Sequence, residues 1–198
     1  MNRLQIAGQD CDGSLSDKSP LITLKPQGRF MSIRIRKELS KDIETIESLT
    51  AEAFLNAPHT DHTEQYIVAA LRKADVLSIS MVAEDAGRLI GHVAVSPVII
   101  SDGSDGWFGL GPISVIPDRQ GQGVGSQLME KALDALKELG AKGCVLLGDP
   151  NYYHRFGFKP SPDLVFPDVP PEYFQAISFC GEFPVGTVTY HEAFNAKP

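Results

Sequence analysis

Apolar and polar residues alternate through Ile33, Arg34, Ile35 and Arg36, which predicts a first strand over residues 31–36 with one buried face. The spacing then lengthens. Ile43, Ile46, Leu49 and Ala53 fall on one helical stripe, with Ser40 or Asp42 as its cap, and residues 56–62, holding Pro58, break it. A second helix from about Thr63 turns Ile67, Ala70 and Leu71 inward. Residues 77–83 and 89–100 read as strands joined by the turn Asp85-Ala86-Gly87, with Gly91 and Pro97 suggesting bends or an edge in the second. Residues 107–116 form another strand-like run. The stretch after it returns to helical spacing through Leu128, Met129, Ala132, Leu133, Leu136 and Leu139, and Gly140 stops it. Residues 144–147 are wholly apolar, as in a strand covered on both faces. Two late strands, 173–179 and 187–190, are expected to complete the sheet behind it. Residues 1–30 show no periodicity and read as a flexible tail, leaving residues 31–198 as one domain.

The most informative junction is strand, glycine turn, helix. Gln120-Gly121-Gln122-Gly123-Val124-Gly125-Ser126 sets three glycines at alternate positions just before a helix. Glycines leave backbone N–H groups uncovered at the positive helix end, a geometry that holds phosphate or pyrophosphate. A mobile turn that only caps the helix is the plainer alternative. A P-loop would need a lysine between Gly125 and Ser126. A dinucleotide fold would need a glycine where Ser126 stands, although Asp149 lies near the distance of a ribose-binding acid.

Composition changes this picture only at the edges. With 198 residues, 42% apolar and 22% charged, the chain is ordinary for one globular domain. A net charge of −7 disfavours a nucleic-acid surface. An anionic ligand must then be held by local donors, not by the overall field. Cys11, Cys144 and Cys180 are odd in number and widely spaced, and read as reduced, mostly buried thiols. The sequence shows neither a membrane-length apolar run nor a signal-like start, so a cytoplasmic location is expected. His59, Asp61 and His62 make a poor metal set, and no metal is expected.

Beyond the turn, Gly148-Asp149-Pro150-Asn151-Tyr152-Tyr153-His154-Arg155-Phe156-Gly157-Phe158 supplies a second motif. Together, the glycine turn, the preceding Ile113-Ser114-Val115-Ile116 and this tyrosine motif resemble the GNAT N-acetyltransferases, and within them a bacterial subgroup termed YhbS-like. The resemblance covers roughly residues 31–194. It implies an α/β (α+β) fold with a mixed central sheet, flanking helices and splayed fourth and fifth strands, with the pantetheine of acetyl-CoA in the gap.

The resemblance also implies roles. Main-chain groups of Ile113, Ser114 and Val115 would bind the thioester and pantetheine. N–H groups of Gln120, Gly121, Gln122, Gly123, Val124 and Gly125, with the Ser126 hydroxyl, would bind the pyrophosphate, and Arg119 could reach a phosphate. Tyr153, four residues before Gly157, would hydrogen-bond to or protonate the leaving sulfur, while Tyr152 would face elsewhere and pack. Acetyl-CoA is the expected co-substrate, and an amine of a small molecule or protein is the acceptor, attacking directly in a ternary complex. Glu52, Glu64, His92 or water could take the amine's proton. Cys144, apolar in its surroundings, reads as core and not as an acyl carrier. A homodimer is left open, as is a non-catalytic acyl-CoA sensor of the same fold.

Overall fold

A computed structural model describes residues 33–57 and 60–198. The expected tail, Cys11, Met31, Ser32 and His59 lie outside the described residues. The sheet runs in the order β1-β2-β3-β4-β5-β7, from strands β1 (Arg34–Lys37), β2 (Ile79–Asp85), β3 (Arg88–Ile100), β4 (Trp107–Val115), β5 (Gly143–Leu147) and β7 (Phe174–Ser178). Along this order β4 and β5 alone pair in parallel, as the intervening helix α3 (Val124–Glu138) requires. β7 lies behind β5, as expected, and runs antiparallel to it. The last strand, β8 (Gly186–Tyr190), does not lie there: it pairs with the end of β3 through Val98, Ile99 and Ile100, and with the short strand β6 (Leu164–Val165). β3 is therefore an interior strand and not an edge.

Each face of the sheet is covered by helix. Leu128, Met129, Ala132 and Leu136 of α3 pack on Val93, Val95, Leu110 and Ile113. Gly91 lets α3 come close: a Cβ there would stand 2.9 Å from Leu128 Cδ1. On the other face lie α1 (Ile43–Phe54) and α2 (Glu64–Lys73), whose Ile46 and Val68 pack on Val82 and Ala94. Asp42 does not cap α1 with its side chain. It is buried, accepts a hydrogen bond from the Leu39 N–H at 2.8 Å and pairs with Arg36 at 2.6 Å, which holds its carboxyl below the usual range. Burying a carboxylate this way requires such partners.

Candidate active site

A register change on one side of β4 and an early end of pairing on the other open a gap in the middle of the sheet. Val93 pairs with Ile113 and Val95 with Leu110, so β4 carries one more residue than β3 between these pairs, at the cis Gly111–Pro112 peptide. On its other side β4 pairs with β5 only from Trp107 to Gly109, while β5 continues to Leu147 alongside β7. Beyond Gly109 and Val145, β4 and β5 separate. The Ile116 N–H donates to Ile90 on β3 at 3.1 Å, so by antiparallel alternation the main chain of His92 and Ser114 is also paired across β3 and β4. Ile113 and Val115 then turn their backbone groups away from β3, toward the gap. Ser114 does not, and its buried hydroxyl lies 3.5 Å from Thr50 Oγ1 on α1.

The glycine turn closes one end of the gap. Gly121 and Gly123 have left-handed φ values of 69° and 80°, which only glycine adopts freely. Gly123 directly precedes α3, and a Cβ on it would meet no atom within 4 Å, so its outer side is open. Side chains brace the turn: Gln120 Nε2 donates to the Val115 carbonyl at 3.0 Å, and Gln122 Nε2 to the Asp118 carbonyl at 2.9 Å. The Gln120 N–H bonds the Pro117 carbonyl and is used within the turn. The first α3 amide with a backbone acceptor is that of Gln127, on the Gly123 carbonyl. Among the described residues, the amides from Gly121 to Ser126 have no backbone acceptor, as the start of a helix leaves them. Arg119 pairs with Asp85 at 2.6 Å and ties the turn to the β2–β3 hairpin, so it is engaged there.

The tyrosine motif closes the other end. Asp149 caps α4 (Pro150–Tyr153) by accepting from the Asn151 N–H at 2.9 Å; that is its use, not a ribose contact. Tyr153 is 1% exposed and its ring lies over Gly148, where any Cβ would collide with it. Gln175 Nε2 fixes Gly148 by donating to its carbonyl at 3.1 Å. Burial, with the nearby phenols of Tyr152 and Tyr190, holds the Tyr153 phenol well above its usual range. Tyr152 packs edge-on against Tyr153 and Phe156, as expected, with its hydroxyl at the start of α3. The hydroxyl hydrogen-bonds Ser126 and stands 2.9 Å from where a Cβ on Gly125 would be. Tyr152 thus joins the glycine turn to α4, a contact that i-to-i spacing could not reveal.

The candidate bases differ sharply in setting. Glu52 is exposed on α1. Glu64 is buried at the start of α2, with one oxygen bonded by Thr60 Oγ1 at 2.6 Å and the other without a partner. His92 is fully buried; its Nε2 lies 2.8 Å from Ser80 Oγ, which in turn donates to Glu38, itself paired with Arg72 at 2.8 Å. Because Ser80 gives its proton to the carboxylate, its oxygen accepts from His92 Nε2–H. His92 Nδ1 is then a bare, unpartnered lone pair. Burial lowers the His92 pKa to about 4, with the Glu38 charge opposing, so the ring is neutral at neutral pH. Cys144 is buried and burial pushes its thiol up, as suits core; Cys180, by contrast, is exposed, not buried as expected. Among the described residues no group of three His, Cys, Asp or Glu gathers as a metal set, and no helix is long and apolar enough to cross a membrane.

Comparison with known proteins agrees with this geometry. Residues 77–160, from β2 through the tyrosine motif, match the family model described as an acetyltransferase (GNAT) domain. Over 126 residues the chain is 37% identical to YhbS of Escherichia coli K12, called an uncharacterized N-acetyltransferase, covering 63% of this chain and 72% of that protein. A GNAT family acetyltransferase from Brucella melitensis, solved with acetyl-CoA, superposes with a TM-score of 0.74 at 44% identity, covering 83% of this chain and 99% of that one. The E. coli YhbS structure, solved with CoA, superposes with a TM-score of 0.76 at 33% identity over 91% of this chain and 97% of that one. A bulged fourth strand parting from the fifth, a glycine turn opening α3 and a tyrosine helix after the parting thus come with full-length relatives, and the chain belongs to the GNAT family of N-acetyltransferases.

Proposed function

We propose that this chain carries the acetyl group of acetyl-CoA to an amine by direct attack in a ternary complex. The observation that carries the reading is the parting of β4 from β5 after Gly109, which turns the main chain of Ile113 and Val115 to a gap bounded by the glycine turn and Tyr153. In support, relatives at 44% and 33% identity were solved with acetyl-CoA and CoA. Pantetheine lies in the gap against Ile113 and Val115, with Ser114 held to β3. The pyrophosphate rests on the amides of Gly121, Gln122, Gly123, Val124, Gly125 and Ser126. Gln120 acts through its side chain, by holding the Val115 carbonyl.

The amine nitrogen attacks the acetyl carbon, the C–S bond breaks, and CoA leaves as a thiolate. A thiol titrates near ~8.5, below a phenol whose pKa burial has raised. Tyr153 therefore keeps its proton and stabilises the developing thiolate through a hydrogen bond, while the proton given up by the attacking amine balances the one that restores the CoA thiol. With Cys144 buried and its thiol protonated, no acyl-enzyme is needed. The acceptor is an amine of a small molecule or a protein, and the free Cys144 and Cys180 thiols agree with a cytoplasmic setting.

A sensor that binds acyl-CoA without turnover would not need a phenol at the sulfur, and Tyr153 favours the enzyme. Titration calorimetry with acetyl-CoA, followed by thiol-release assays across a panel of primary amines, tests the reading. Binding with amine-dependent thiol release is expected. Binding with no release for any amine would favour the sensor, and no binding would overturn both.

A further inference from the structure

On the face of the gap opposite Tyr153, two buried hydroxyls have no hydrogen-bond partner among the described residues: Ser96 Oγ and Tyr190 Oη. Both residues border Gly109. Ser96 is the register partner of Gly109, which is also the last β4 residue paired with β5. The Tyr190 ring fills the space of the missing Gly109 side chain, with Cδ1 2.9 Å from an ideal Cβ position and Cε1 closer still. Alternation along β3 sets Ser96 on the face of Ala94, which packs on Ile46 and Val68, so this is the α1–α2 side. Tyr190 is held by edge contacts with Phe166, at 5.4 Å between centroids, and Phe194, at 4.8 Å. Packing alone therefore aims its hydroxyl.

A polar group buried without a partner is destabilising unless something bonds it. Each hydroxyl oxygen can accept a hydrogen bond, and two of them beside Gly109 can take two N–H bonds from a ligand.

Resting on the acetyltransferase reading above, we propose that Ser96 and Tyr190 seat the acceptor as a primary amine. Their two oxygens accept its two N–H bonds, which leaves the nitrogen lone pair directed across the fork at the acetyl carbon. The N–C bond forms as the C–S bond breaks, and the proton the nitrogen gives up balances the one the thiolate gains, so no further reactant enters. A secondary amine fills only one of the two oxygens and is the poorer substrate.

The test uses hydroxylamine and N-methylhydroxylamine, which carry two N–H bonds and one, as small acceptors with thiol release from acetyl-CoA as the readout. Tyr190→Phe keeps the ring on Gly109, and Ser96→Ala removes a hydroxyl that bonds nothing in the protein, so both should fold. Each variant should raise the hydroxylamine KM about fivefold, as loss of one hydrogen bond implies, with the acetyl-CoA Kd unchanged. Each should also narrow the preference for hydroxylamine over N-methylhydroxylamine, which a merely structural defect would leave alone. Unchanged KM and preference in both variants would overturn the proposal. So would a wild-type protein that binds acetyl-CoA but releases no thiol above background with hydroxylamine. Failure of the wild type to bind acetyl-CoA would instead remove the acetyltransferase reading on which the proposal rests.

Discussion

On the α3 side of the gap the groups available to a ligand are largely main-chain amides, from Gly121 to Ser126 and along Ile113 and Val115. On the α1–α2 side the unpartnered polar atoms are buried side-chain atoms, those of Ser96, Tyr190, Glu64 and His92 among them, contributed by β3, β8 and α2. The first side is built by one continuous segment and needs only glycine conformations and a helix start. The second is assembled by long-range packing. A main-chain surface suits the cofactor that a whole family shares, whereas a side-chain surface can change from one member to the next. On this account the α3 side sets what is transferred, and the α1–α2 side sets to what.

The sharpest way to break that division is Tyr153→Phe, the one side chain expected to act from the cofactor side. The ring and its packing over Gly148 remain, so acetyl-CoA should still bind. Turnover should fall ~10²–10⁴-fold, measured as kcat on any working amine. The defect should shrink with acyl donors whose thiols are more acidic, and a variant with normal kcat would take Tyr153 out of the mechanism.

Gly109→Ala probes the fork itself. Its methyl would strike the Tyr190 ring and crowd Val98 Cγ1 at 3.0 Å. Overpacking of this kind is worth ~1–3 kcal/mol, to be read in denaturant unfolding, and Tyr190 should be displaced. Acceptor KM should therefore rise more than acetyl-CoA Kd. Equal effects on both would mean that the two sides are not separable.

How much of this was legible in the sequence follows the same divide. The strand, turn and helix around Gly123 could be read because left-handed glycines and a helix start are local requirements. Tyr153 stands out only through the motif's resemblance to the family, since a tyrosine in a Tyr-Tyr pair by itself reads as core. The position of β8 could not be read, since nothing in Thr187, Val188 and Thr189 distinguishes pairing with β3 from pairing with β7. Tyr190 and Ser96 carry no signal in the sequence for that reason: Tyr190 comes to Gly109, the register partner of Ser96, only because β8 joins β3. The contact of the Tyr152 hydroxyl with the start of α3 and the pairing of Arg119 with Asp85 join segments far apart in sequence, so local spacing reveals neither. A single orphaned polar residue carries no mark in a sequence until its neighbours are known.

His92 supplies a smaller effect, confined to stability. Its pKa is about 4 in the fold against 6.5 for a free imidazole, so between those values the unfolded chain binds the extra proton. Stability should be full above pH 6.5 and fall as pH drops toward 4, with a slope of at most ~1.4 kcal/mol per pH unit from this group. Unfolding measured against pH for wild type and His92→Gln should show that slope only in the wild type, and parallel curves would reject the buried neutral imidazole. Smallest of all should be Cys144→Ala, which leaves kcat within about twofold because no acyl-enzyme forms, and which loses stability only by the small cavity it creates. Loss of transfer in that variant would contradict direct attack.

The central claim is that the backbone of the glycine turn holds the cofactor, and titration calorimetry of acetyl-CoA into wild type and Gly123→Val tests it most directly. The valine Cβ projects into the open space beside the turn, where pyrophosphate oxygens would have to approach. The account predicts one binding site in the wild type and an affinity at least tenfold lower in the variant, about 1.4 kcal/mol or more. The unliganded variant should stay folded, destabilised by only the ~1–2 kcal/mol of a side chain in the left-handed region. Equal acetyl-CoA affinity in a folded Gly123→Val protein would contradict it.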